Sequence, residues 1–286
     1  MKSVTTRSSI VQKQWSNLKR NRLAVFGLFI IVVLGLATIF ADLLTSYSPN
    51  GVDLSNRVQP PSTEHFLGTD KLGRDVFSRV LYGGRLSITI GLCGALGAAF
   101  LGVIFGSIGG YFGGWVDRIL LRLSEVVMSF PALVLIMIFI AIFGQDVFNL
   151  IIVFAVTGWI GEYRLVRGRF LSLKNEYFVE SCRAYGMSNL RIIFGQILPN
   201  AITPVIVSVT LATALYVIAE AGLGYLGLGV PPTTPTWGNI LNSAQSIDVV
   251  REYWWLWLFP GSVISLFVLG VNTFGDGLRD LIDPNQ

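Results

Sequence analysis

Few residues in this sequence are equipped for covalent chemistry. It has one histidine, His65, and two cysteines, Cys93 and Cys182. With so few, no Ser/His/Asp or Cys/His set can be assembled. Cys93 lies in an apolar run and Cys182 in a polar loop, so neither a disulfide between them nor a shared metal is expected. Two glycine patterns imitate phosphate sites. Gly222-Leu-Gly224-Tyr-Leu-Gly227 has dinucleotide spacing, but it closes an apolar run and leads into Pro231, with no strand before it. Gly68 to Gly73 has phosphate-loop spacing, yet Arg74-Asp75 stands where Lys-Ser/Thr is needed, and an aspartate there repels phosphate. Catalytic residues, metal ligands and bound cofactors are therefore not expected on this chain. Any ATP must be held by another.

Some acidic residues call for explanation on other grounds. Glu220 sits between Ala219 and Ala221 in an apolar run, where an ionised side chain costs at least about 2.5–3.5 kcal/mol unless paired or hydrated. It either lines a water-filled pathway or hydrogen-bonds its surroundings as a structural group. Glu125 has Arg122 three residues earlier on the same helical face and reads as structural. Glu180 belongs to a short polar helix expected over Asn175 to Tyr185. Gly186 takes the left-handed position that stops this helix, and Ser188 caps the next. Glu176 repels Glu180 across one turn, and Arg183 partly offsets this. Phe178 and Tyr185 give the helix an apolar side, which must be buried or lie on a membrane surface.

The elements that position these residues follow from composition. Of 286 residues, 52% are hydrophobic and 13% charged, about half the charge of a soluble domain. Mean hydropathy is +0.64. Disorder, collagen and a disulfide scaffold are excluded, leaving an all-α polytopic membrane protein. Six runs approach the roughly 20 apolar residues a spanning helix needs. They are Leu23 to Ala41, Leu86 to about Tyr111, about Ile119 to Phe143 around Pro131, Val147 to about Ile160 or toward Val166, about Ile193 to Leu228, and about Tyr253 to Phe274. Pro199 and Pro204 near the start of the fifth mark it as long enough to tilt or break. With the N-terminus inside, 15 of the 21 Lys and Arg fall on the cytoplasmic side, and both termini are cytoplasmic. The first run is longer than a signal peptide's core, so it reads as an uncleaved anchor. The net charge of +4 is segregated around the apolar runs and calls for no nucleic acid. In the second run Gly94, Ala98, Gly102, Gly106 and Gly110 recur every four positions, making a face for close helix packing.

The stretch Glu180-Ser-Cys-Arg-Ala-Tyr-Gly186, followed by Leu198-Pro199, resembles the EAA motif of permease subunits in binding-protein-dependent ABC importers. Ser181 and Cys182 replace the two alanines, and Gln196 stands where the pattern has Ile. His65-Phe-Leu-Gly-Thr-Asp-Lys-Leu-Gly-Arg-Asp-Val-Phe-Ser-Arg79 is similar to a segment of the C-type permease of the dipeptide, oligopeptide and nickel group. So are Asn21-Arg-Leu-Ala-Val, Leu226-Gly-Leu-Gly-Val-Pro-Pro before Trp237-Gly238, and Gly275-Asp-Gly-Leu-Arg-Asp280.

This resemblance implies a type I importer fold with three parts. Residues 1–85 hold a cytoplasmic segment, the anchor and an external loop. Residues 86–276 form the transmembrane domain, with a coupling loop at about 167–192, and 277–286 a short tail. It further implies one half of a heterodimeric pathway in the bacterial or archaeal cell membrane, with a second permease subunit and two ATP-binding subunits that carry ATP and Mg²⁺. An extracellular solute-binding protein would deliver peptide. Glu180, Ser181, Cys182, Arg183, Ala184, Gly186, Leu198 and Pro199 would form the coupling dock. Glu220, Gly222 and Gly224 would line the translocation pathway or shape the outer gate. Nickel or another small solute is the alternative cargo. A stand-alone gradient-driven carrier would want repeated interrupted helices and midplane charges, and a membrane hydrolase a nucleophile and base.

Overall fold

The computed structural model describes residues 21–282, so the cytoplasmic segment expected over residues 1–20 and the last residues of the expected tail lie outside it. Helices and connections build the fold, with no strand among the described residues. α1 (Arg22–Ile39) begins where the Asn21 side chain accepts the Ala24 amide, and it runs as an aliphatic rod. A short α2 (Ala41–Leu44) follows. α3 (Val76–Phe112) has 37 residues, about 55 Å of helix, well beyond the hydrocarbon thickness.

That helix begins ahead of the expected Leu86. Asp75 caps it by accepting the Ser78 amide at 2.7 Å. Two arginines that hydropathy places outside the span are accommodated in this helix because carbonyls receive them. Arg79 donates to the Pro49 carbonyl at 3.0 Å, and Arg85 to those of Thr38 and Ile39 at 2.6 and 2.8 Å.

The expected third span is not one helix. α4 (Gly114–Met128) and α5 (Ala132–Phe143) meet at 87°. Pro131 supplies no amide and disfavours helical backbone at Phe130, which ends α4 there. Among the described residues five helices are individually long and apolar enough to cross a membrane, six when this bent pair counts as one. α6 (Val147–Leu173) is the fourth span and runs well past Ile160.

Next come α7 (Tyr177–Ala184), α8 (Asn189–Ile192), a π-helical turn at Ile193–Ile197, α9 (Leu198–Ala201) and α10 (Thr203–Tyr225). The fifth run thus breaks near its prolines. α11 (Trp237–Leu241), α12 (Ile247–Glu252) and α13 (Trp255–Ile282) complete the chain.

The small-residue row of α3 lies against α6. A Cβ built on Gly94 would stand 2.9 Å from the Phe154 Cβ, one on Gly102 2.3 Å from the Glu162 Cβ, one on Gly106 2.7 Å from the Val166 Cβ, and one on Gly110 2.5 Å from the Phe170 Cβ. Ala98 is buried between them. Elsewhere α1 packs on α13, where a Gly27 Cβ would fall 2.5 Å from the Gly270 carbonyl oxygen. These backbone approaches substitute for a hydrophobic driving force that lipid does not provide.

Candidate functional site

Residues 174–202 join α6 to α10 and form a built knob rather than a slack loop. One side chain, Val179, anchors α7: it is fully buried in a cluster with Phe170, Ile192, Ile193 and Ile197. Phe178 and Tyr185, the apolar side expected to be buried or to lie on a membrane surface, are both exposed on this chain. Tyr185 is 88% exposed and Tyr177 86%, so the aromatic face of α7 points away from the chain.

The stop after α7 is a Schellman motif. Gly186 donates to the Arg183 carbonyl at 2.9 Å and Met187 to that of Cys182 at 3.0 Å, with Gly186 at φ +72°. Cys182 and Met187 each pack against the Val179 cluster, which gives this cap an apolar footing. Ser188 is the N-cap residue of α8, but only its carbonyl serves, accepting the Ile192 amide at 3.0 Å.

Arg183 does not pair with Glu180. Its guanidinium sits 5.5 Å from the centroid of the Tyr111 ring, and the Tyr111 hydroxyl donates to Asn189 at 2.9 Å. The knob is thereby tied to the last turn of α3. Glu180, Ser181, Ala184 and Gly186 are left exposed beside the tyrosines.

Leu198 and Pro199 mark where the chain leaves the knob. Pro199 cannot donate an amide, and the preceding turn widens to π geometry, with the Leu198 amide reaching the Ile193 carbonyl. Ile193 and Ile197 stay fully buried through this distortion, so the chain bends without leaving the core.

Glu220 stands near the opposite end of α10 from the knob, roughly 25 Å along the axis. It is fully buried. Ser87 Oγ of α3 donates to its Oε2 at 2.7 Å and accepts the Trp237 amide at 3.1 Å. Its other oxygen has no partner. Gly224 meets α11 backbone to backbone, a Cβ there standing 2.7 Å from the Gly238 carbonyl carbon, whereas Gly222 faces open space. Glu220 thus holds α3, α10 and α11 together.

Sequence reasoning missed a second such acid. Glu162 is 5% exposed, with one oxygen accepting from Ser208 of α10 at 2.5 Å and the other unpartnered. With the fourth run ending near Ile160 or toward Val166, Glu162 falls between its two expected ends. The signal available was the continued apolar spacing Val166, Phe170, Leu173 beyond it. Also unforeseen is the link of α4 to α6, where Arg167 donates from Nε and Nη2 to Asp117 at 2.5 and 2.6 Å.

The Gly68 to Gly73 pattern is packed too tightly for phosphate. A Cβ on Gly68 would strike the Gln59 carbonyl oxygen at 2.6 Å and the Trp255 ring at 2.8 Å. Around it, Asp70 takes the Leu72 and Arg74 amides at 2.8 and 3.0 Å, and Asp75 takes His65 Nδ1 at 2.9 Å. The segment His65 to Arg79 is a packed plug over the start of α3. No group of three or more His, Cys, Asp or Glu gathers as metal ligands among the described residues.

Comparison with known proteins agrees with this architecture. Residues 102–286 match the family model described as binding-protein-dependent transport system inner membrane component. Residues 9–61 match that of the N-terminal TM domain of oligopeptide transport permease C. The chain is 42% identical over 275 residues to the dipeptide transport system permease protein DppC of Alkalihalophilus pseudofirmus, covering 96% of this chain and 90% of that protein. It is 38% identical over 266 residues to the oligopeptide transport system permease protein OppC of Bacillus subtilis, covering 93% and 87%. With the DppC of Bacillus subtilis it shares 37% over 276 residues, covering 96% and 86%.

Proposed function

The chain belongs to the family of binding-protein-dependent transport system inner membrane components, and on that premise we propose that it forms half of the pathway of an ATP-driven peptide importer. Peptide is the cargo because the relatives similar over nearly their whole length are dipeptide and oligopeptide permeases. In this reading a second permease subunit supplies the other half, two ATP-binding subunits carry ATP and Mg²⁺, and a solute-binding protein presents peptide outside. The protein is a multi-pass protein of the cell membrane with both termini in the cytoplasm.

The observation that carries the reading is the knob at 174–202. It presents exposed Tyr177, Glu180 and Tyr185 on a helix whose own anchor is a single buried valine. A force applied there reaches α3 through Arg183 and Tyr111, α6 directly, and α10 through the π turn at Pro199. Closure of the ATP-binding dimer would then rock these helices together. At the far end Glu220 holds α10 to α3 and α11, with Gly222 and Gly224 beside it at the outer gate. Helices rather than side-chain chemistry transmit the work.

Crosslinking tests this reading. In the assembled complex, with Cys93→Ser/Cys182→Ser as background, a maleimide–benzophenone reagent attached to Tyr185→Cys should photocrosslink to an ATP-binding subunit, and the yield should change when ATP is bound. Crosslinking that appears only from Leu133→Cys on α5 would place the motor contact elsewhere.

A further inference from the structure

α4 crosses nothing. It leaves α3 through Gly113 and Gly114, at φ +65° and +56°, and meets α5 at 87°. With 12 residues, α5 is an apolar rod of about 18 Å, so a partner element perpendicular to it runs along the bilayer rather than through it. The inner edge of α4 is held to α6 by Asp117 and Arg167, and Leu120, Leu121 and Val127 pack around Trp159 and Tyr163. Lys174 Nζ comes within 3.8 Å of where a Gly113 Cβ would stand, which sets α4 at the same end of the protein as the knob.

The outer edge of α4 divides into two strips. At 100° per residue, Trp115, Ile119, Leu123 and Val126 fall side by side, and Arg118 and Arg122 run alongside them. The apolar strip is open: Trp115 is 72% exposed and Val126 60%. Arg118 lies 5.9 Å from the Trp115 ring centroid. Arg122 meets Glu125 at 2.8 Å, with both side chains more than half exposed, and so remains available to a stronger anion. A shallow groove of about 330 Å³ follows the helix, lined by both strips together.

A helix facing water would have no use for the apolar strip. A helix buried against a protein partner would have to desolvate two guanidinium groups with Glu125 alone to receive them. The boundary between hydrocarbon and headgroups satisfies both strips at once, and tryptophan and arginine are residues that settle there.

We propose that α4 lies in the bilayer interface on the knob side and that its groove holds an anionic phospholipid. The phosphate sits against Arg118 and Arg122, and an acyl chain lies along Ile119, Leu123 and Val126. This site needs only a membrane-inserted chain and stands whether or not the transport reading holds.

Native mass spectrometry of the full chain, released from detergent, tests it with phosphatidylglycerol and phosphatidylcholine as probes. The wild type should retain phosphatidylglycerol in preference. Each arginine replaced is expected to weaken retention about fivefold, so Arg118→Gln/Arg122→Gln should lose nearly all preference while Arg251→Gln keeps it. Equal retention by the double variant, or equal loss in the Arg251 variant, overturns the site. A nitroxide on Ile119→Cys, in a Cys93→Ser/Cys182→Ser chain, gives an independent reading in phosphatidylglycerol vesicles. Broadening by oxygen above that by a water-soluble nickel chelate supports the placement. Broadening mainly by the chelate overturns it. So does shielding from both reagents in the assembled complex, which would assign this face to a partner subunit.

Discussion

Gly186 holds φ at +72°, and no heavy atom lies within 4 Å of the place a Cβ would take. Its requirement is conformational, since left-handed backbone costs an L-residue roughly 1–2 kcal/mol. Asparagine visits that region more readily than leucine. Gly186→Leu should therefore abolish peptide uptake while the protein still reaches the membrane, and Gly186→Asn should keep much of it. Uptake of labelled peptide into cells or vesicles checks both; near-normal transport by the leucine variant, with ATP-binding subunits attached, would refute the dock. Glu220 poses the opposite case, a buried group whose partners matter. Glu220→Ala strands Ser87 and is expected to cost about 1–3 kcal/mol, read as a lower thermal midpoint in detergent, whereas Glu220→Gln keeps an acceptor for Ser87 and should lose less. The sequence showed that Glu220 needed a partner. It could not show that the partner is Ser87, more than a hundred residues away in the chain.

Among the elements, the aliphatic runs of α1, α10 and α13 were plain in the sequence because hydropathy alone defines them. α3 was read too short, because Arg79 and Arg85 look like the end of a span until the carbonyls that receive them are in view. The third span was read as continuous because hydropathy averages across Pro131, and only the geometry shows the two halves at 87°. The glycine row of α3 was legible as a packing face, but not that α6 of the same chain fills it. Gly102→Leu should force α3 off α6 and reduce the amount of protein accumulating in the membrane, while Gly161→Ala, where a Cβ meets nothing within 4 Å, should leave it unchanged; immunoblots of membrane fractions compare them. The join of α2 to α3 has its own test. The Tyr82 hydroxyl, and beside it the Arg85 guanidinium, hold the Asp42 carboxyl below the ordinary carboxylate range. A lowered pKa in the folded state means that this clamp contributes fully above pH about 4 and is lost as pH falls through the lowered value. Acid titration of the thermal midpoint should be less steep there for Asp42→Asn than for the wild type.

At the scale of the whole molecule, the knob and the Glu220 cluster sit toward opposite ends of one helix, α10, and the chain carries two buried acids there, Glu162 and Glu220, each fixing α10 to a neighbour. The arrangement suits a body that is moved rather than one that reacts. Its central claim is that the chain has no engine of its own. Uptake of labelled dipeptide into sealed vesicles tests this most directly, comparing the complete assembly with this chain alone. The account predicts uptake only by the complete assembly, only with ATP, and none when Gly186→Leu replaces the wild type. Uptake by the single chain, driven by an ion gradient and indifferent to ATP, would contradict it.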